Sequence, residues 1–188
     1  MERPNAWLTY SDADMQDLET VAKKYRHFLN VGKTERECIT QIVKEAEEAG
    51  YVSLEEKVKN GEALKAGDKV YQVGMQKIIA LYHIGEEDLA QGMNILCAHI
   101  DSPRLDIKQN PLYEDTDLAY LDTHYYGGVK KYQWVALPMA MHGVIVKKDG
   151  TVVNVTVGED EDDPVLYITD LLIHLAGQQM AKKASEAV

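Results

Sequence analysis

The sequence predicts an α/β fold in which two helices come first, short buried strands follow, and a β-rich unit closed by a helix occupies roughly residues 110–188. Three observations carry this expectation. Ser11 with Asp14, and Thr34 with Glu37, are helix-start signatures that open stretches of helical apolar spacing. Glycine-punctuated β-branched and aromatic runs begin after Tyr51. Asp149-Gly150 separates two β-rich runs, a strong hairpin signal.

In the first helix Met15, Leu18, Val21, Ala22, Tyr25 and Leu29 fall on helical spacing and Gly32 follows the periodic segment. The second is expected from about Glu35 to Ala49: Thr34 can take one orphan amide, Glu37 can reach back to another, and Gly50 stands where a left-handed residue is wanted. The runs 69–73 and 77–83 read as adjacent strands between Gly67, Gly74 and Gly85. Residues 94–101 are nearly continuously apolar up to His99 and Asp101, which predicts a fully buried strand ending at a functional edge. Beyond residue 110, the run 134–141 leads through Gly143-Val144-Ile145-Val146 to Asp149-Gly150, and 151–157 alternates apolar with polar residues. The acidic stretch Glu159 to Asp163 reads as a solvated loop, and Ile168 to Lys183 has helical periodicity through Leu171, Leu172, Leu175 and Met180.

The 188 residues carry 20 basic and 31 acidic side chains, a net charge of −11 with histidine neutral. At about 150 residues per domain this is one domain or two small ones, and 45% hydrophobic with 27% charged residues excludes disorder along most of the chain. Basic residues occur only as isolated pairs such as Lys130-Lys131 and Lys147-Lys148, so neither a nucleic-acid backbone nor an anionic membrane surface is an expected partner. The longest apolar run, 134–141, is too short to span a bilayer and contains Pro138. The opening residues 1–7 lack a basic-then-apolar signal segment, and Cys38 and Cys97 have no paired spacing; both points favour a cytoplasmic protein with reduced thiols.

The sharpest chemical feature is His99-Ile100-Asp101. Residues two apart on a strand project to the same side, and a metal-ligating imidazole needs its second ring nitrogen held by an acceptor such as a carboxylate. From the tripeptide alone, a buried histidine bonded to a nearby carboxylate is the simpler reading. His124, His142 and His174 with Asp122, Glu114 and Asp170 supply further donor atoms, but their spacings match no metal pattern. His124 reads as part of a loop network beside the turn glycines 127 and 128. Tyr125, Tyr126, Tyr132 and Trp134 fit either a protein–protein surface or core packing.

The longer strings change the weighing. Ala98-His99-Ile100-Asp101-Ser102-Pro103-Arg104-Leu105-Asp106-Ile107-Lys108, then Pro111-Leu112-Tyr113-Glu114, then the run 122–134 around Tyr126-Gly127-Gly128, together resemble the M18 family of zinc aminopeptidases, the aspartyl aminopeptidase and aminopeptidase I group. The likeness runs from about residue 7 to the end. It implies the N-terminal part of a zinc-exopeptidase α/β sheet domain over 1–108, followed by a β-rich dimerisation domain over 109–188. It further implies a two-zinc enzyme that removes N-terminal residues from peptides with a zinc-activated water. His99 matches the first zinc ligand and Asp101 the catalytic carboxylate that orients it. His174, in Leu171-Leu172-Ile173-His174-Leu175, reads from its apolar neighbours alone as a core or interface histidine; the resemblance matches it to a histidine that reaches the neighbouring subunit's active site and helps hold substrate.

In the family, the remaining zinc ligands and the general-base glutamate follow the dimerisation domain. The resemblance therefore implies that this chain corresponds to an N-terminal portion, with one zinc ligand of its own and no expected activity alone. Homo-oligomer contacts are expected through 109–188. The alternative is a catalytically dead assembly module that pairs with full-length subunits.

Overall fold

A computed structural model describes residues 3–187. The opening Met1-Glu2, part of the segment read for a signal, and Val188, the expected end point, lie outside the described residues. The chain divides after Ile100 into two compact units.

The first unit opens as its caps dictate. Helix α1 spans Asp12–Val31 and α2 spans Glu35–Glu48. The Ser11 hydroxyl accepts from the Asp14 amide, and the Asp14 carboxylate accepts from the Ser11 amide at 2.8 Å. Thr34 and Glu37 make the same reciprocal pair, with the Glu37 carboxylate also accepting from the Lys33 amide at 2.9 Å. Each box satisfies donors that a helix N-terminus otherwise leaves unpaired. Gly50, just past α2, takes the left-handed conformation at φ 85°.

Strand β1 (Val52–Ser53) leads directly into a short helix α3 (Leu54–Lys59), whose N-cap Ser53 accepts from the Glu56 amide. Strands β2 (Lys69–Gly74) and β3 (Ile78–His83) are the expected adjacent strands and pair antiparallel, and β1 joins β2 in parallel, giving the order β1-β2-β3. Cys38, Ile39 and Ala46 of α2 and Val70 of β2 are buried, Val70 completely. These four residues make the interior of the unit, and α2 provides three of them.

The strand expected over 94–101 is not formed. Residues 93–103 have no regular secondary structure, Ile95 is 70% exposed and Leu96 fully exposed. A buried strand needs neighbours on its edges and cover on its faces, and among the described residues no strand pairs with this run. The apolar sequence is present; its partners are not.

The second unit contains two separate ribbons. Strands β4 (Arg104–Asp115) and β5 (Leu118–Tyr126) form a long antiparallel hairpin turning at Thr116 and Asp117, both at positive φ, as a primed two-residue turn requires. Its register shifts between Ile107 and Leu112, the stretch that contains Pro111. The 108/109 position taken as a domain limit from sequence falls inside β4. Strands β6 (Met141–Val146) and β7 (Val152–Val157) form the hairpin signalled by Asp149-Gly150, with Gly150 at φ 85°. The loop 158–163 is drawn in by Asp163, whose carboxylate accepts from the Gly158 amide at 2.7 Å.

The helix expected over Ile168 to Lys183 shrinks to one turn, α4 (Gly177–Met180). At its start Ile168 instead bridges Val135, its carbonyl accepting from the Ala136 amide at 2.8 Å, and residues 169–172 have no regular secondary structure. Leu171, Leu172 and Leu175 are more than half exposed, so no surface rewards their helical periodicity with burial. The mixed α/β architecture is as the sequence predicts.

Candidate functional site

His99 is exposed and belongs to the first unit, in the run without regular secondary structure before Ile100. What anchors its neighbour is helix α2: the Cys38 thiol is directed at the carbonyl oxygens of Gly32, 3.5 Å away, and Ile100, 4.0 Å away. Burial first, and then the carboxylates of Glu37 and Glu35, push the Cys38 thiol above its ordinary value. It therefore remains a neutral thiol near pH 7, suited to packing and weak donation rather than to metal ligation. Cys97 is exposed, and both cysteines are free.

Asp101 is half-buried at the start of the second unit. The Tyr126 phenol donates to its Oδ2 at 2.9 Å. Arg104 and Tyr126 are cross-strand partners in the β4–β5 ladder. The Arg104 guanidinium lies over the Tyr126 ring, 4.2 Å from its centre, and its Nε donates to Asp106 Oδ1 at 2.7 Å. Carboxylate, phenol and guanidinium thus form one local network where the hairpin begins. The sequence marks Tyr126 only as one of several aromatics; its place opposite Arg104 follows from the hairpin register.

His124, read as a loop residue, lies on β5 opposite Asp106 and stacks on Tyr125, with ring centres 5.6 Å apart. Tyr125, Tyr126 and Tyr132 are all at least 40% exposed, which places none of them in a core. His174 is exposed in the turn Ile173–Leu175. An open cavity of about 410 Å³ close by is lined by Tyr132, Leu171, Ile173, Gln179 and Met180, and His174 is not among its lining residues.

Among the described residues no three His, Cys, Asp or Glu side chains come together as a metal-binding group. Zinc sites take three or four protein ligands. His99 has the right donor chemistry for one of them, but the residues present do not fit a complete zinc centre.

Residues 28–187 match the family model described as Aminopeptidase I zinc metalloprotease (M18). The chain belongs to the M18 family. Over 187 residues it is 56% identical to the "Probable M18 family aminopeptidase 1" of Clostridium acetobutylicum, covering all of this chain and 40% of that relative. The crystal structure of aminopeptidase I from the same organism superposes with a TM-score of 0.85 at 54% identity, covering 100% of this chain and 41% of the other. That of the M18 aminopeptidase from Thermotoga maritima gives a TM-score of 0.86 at 41% identity, covering 99% and 39%. The chain spans about two fifths of the length of the M18 relatives it matches. Among the described residues no helix is long and apolar enough to cross a membrane.

Proposed function

We propose that this chain serves as the N-terminal part of a zinc aminopeptidase that removes N-terminal residues from peptides, and that it is inactive by itself. The observation that carries the reading is the M18 match over 28–187, which includes the string from His99 to Arg104. On this reading His99 supplies one zinc ligand, Asp101 orients its imidazole, and the other ligands and the general base come from residues that this chain lacks. The family's two zinc ions would supply a polarised carbonyl and an activated water. His174 would hold substrate from a neighbouring subunit.

Residues 1–108 would then belong to the catalytic domain and 109–188 to a dimerisation domain, through which copies assemble in the cytoplasm. Two free cysteines fit a reducing compartment.

The test is zinc content and hydrolysis of a panel of aminoacyl chromogenic substrates. It is run on the chain alone and on the chain joined to the complementary C-terminal portion of its Clostridium acetobutylicum relative. The expected result is no turnover alone, and turnover by the joined protein that His99→Ala abolishes. Two zinc ions and turnover in the chain alone would overturn the reading.

A further inference from the structure

We infer that helix α1 is a self-docking surface: two copies of this chain pair through it antiparallel, about a twofold axis that passes between Val21 and Ala22. The surface lies in the first unit and is separate from the contacts proposed through 109–188.

No side chain of α1 is buried, and Val21 and Tyr25, one turn apart on its apolar stripe, are 67% and 61% exposed. Helices gain most of their stability by packing such a stripe, and the contact with α2 leaves this one open. The charges decide what covers it. Asp12, Asp14, Asp17 and Glu19 make the first half of α1 acidic, and Lys23, Lys24 and Arg26 make the second half basic. The helix dipole acts within the first and last turns, so it accounts for Asp12 and Asp14 but not for the reversal of sign at mid-helix. Pairing within the chain does not account for it either. Among the described residues Asp17, Glu19, Lys23, Lys24 and Arg26 enter no ion pair, although Glu19 and Lys23 stand one turn apart.

A second α1 laid antiparallel satisfies stripe and charges together. At 3.6 residues per turn, Leu18, Val21, Ala22 and Tyr25 share one face, with Glu19 and Arg26 on one flank and Asp17 and Lys24 on the other. In a twofold pair each flank meets the same flank of the other copy. With the axis between Val21 and Ala22, Glu19 comes within reach of Lys23 and Arg26 of the second copy, Asp17 of its Lys24, and Leu18 of its Tyr25. Parallel pairing would set acid on acid and base on base, which repulsion opposes.

The test is oxidative cross-linking of the full 188-residue chain in a Cys97→Ser background, because Cys97 is the exposed native thiol. Val21→Cys should give a covalent dimer, since residue 21 meets its own copy beside the axis. Leu29→Cys should not, because it stands about 11 Å along the helix from the axis on each copy. Asp17→Lys with Glu19→Lys should lower the yield of the Val21→Cys dimer about tenfold or more at low salt, and so should Lys23→Glu with Lys24→Glu and Arg26→Glu. All five of these side chains are exposed, so the fold survives their reversal. Mixing the two reversed chains should restore the yield as a heterodimer.

No dimer at Val21→Cys, a dimer at Leu29→Cys as well, a yield indifferent to charge reversal, or no recovery on mixing would each overturn the inference. The joined protein described above identifies the competing occupant. A Val21→Cys dimer formed by the chain alone and lost in the joined protein would give the stripe to the complementary portion, and would overturn the inference too.

Discussion

A methyl group placed on Gly32 would meet the sulfur of Cys38 at 2.9 Å. The backbone of Gly32 has φ −109°, which any residue can adopt, so contact alone forbids a side chain there. The loop between α1 and α2 and the buried face of α2 are fitted to each other at this point. Gly32→Ala is expected to cost about 1–3 kcal/mol through overpacking. In a Cys38→Ala background the part of that cost due to the sulfur should vanish, while the Phe28 carbonyl oxygen, 3.1 Å from the added methyl, still stands against it. Urea unfolding midpoints of the two single variants and the double variant measure the coupling; an unchanged cost in the Cys38→Ala background would show that the sulfur is not the obstacle.

Tyr71 donates from its phenol to Glu47 at 2.7 Å. That hydrogen bond, with burial and the negative charge of Glu47 behind it, pushes the phenol up from 10.0 to about 12. Because the folded value is raised, the stabilisation is complete below pH 10.0 and is lost as pH climbs from there to about 12. Ultraviolet absorbance of phenolate should show a tyrosine ionising at about 12 in the native chain, and Glu47→Gln should bring that step back towards 10.0. Ionisation of Tyr71 at its ordinary value in the native chain would contradict the assignment.

At the acid end the sign reverses. Asp14 is held below 3.8 by the Ser11 amide and then its hydroxyl, Asp68 by the Lys65 amide, and Asp163 by the amides of Gly158 and Asp160. Depressed carboxyls contribute stability above their unfolded values and lose it as pH falls through the folded ones. The thermal midpoint should hold steady down to about pH 4 and then drop as these groups protonate. Asp163→Asn should lower the midpoint near neutrality and flatten the acid-side slope. A slope as steep as that of the native chain would show that Asp163 does not take part.

How far the sequence was readable depends on the range of the interactions. The caps of α1 and α2 and the turn at Gly150 are decided within four residues, and all three were legible. Helix α3 carries its own start signal in Ser53 and Glu56, but it lies where the apolar period has already shortened, which masks it. The β4–β5 hairpin was hidden by its turn, where Thr116 and Asp117 take positive φ without a glycine, and by Pro111 within a strand. Runs 94–101 and 168–183 failed for one reason: their periodicity describes burial against surfaces absent from the described residues, and tertiary contact decides such segments. His99 and Asp101 were visible as chemistry. The Tyr126 that engages Asp101 is 25 residues away and became visible only with the hairpin register.

Leu96 is 100% exposed beside Ile95 at 70%, and Leu171, Leu172 and Leu175 add further apolar surface in the second unit. Exposed patches of this kind associate. Sedimentation of the purified chain should therefore show oligomers or aggregates, and Ile95→Lys with Leu96→Lys should shift the distribution towards monomer. A stable monodisperse monomer of the native chain would contradict this.

Pro111 gives that association a direction. A cross-β stack grows when an arriving backbone finds amide donors at every second residue along an open strand edge, and a proline offers none. It stands where the β4–β5 register breaks, so an incoming strand that followed β4 from Arg104 would lose step before reaching Leu112. The long ribbon is thus a poor template for fibrils despite its exposed Leu112, Tyr113 and Leu118. Clumping of this chain should proceed by side chains meeting side chains, and should dissolve on dilution instead of seeding.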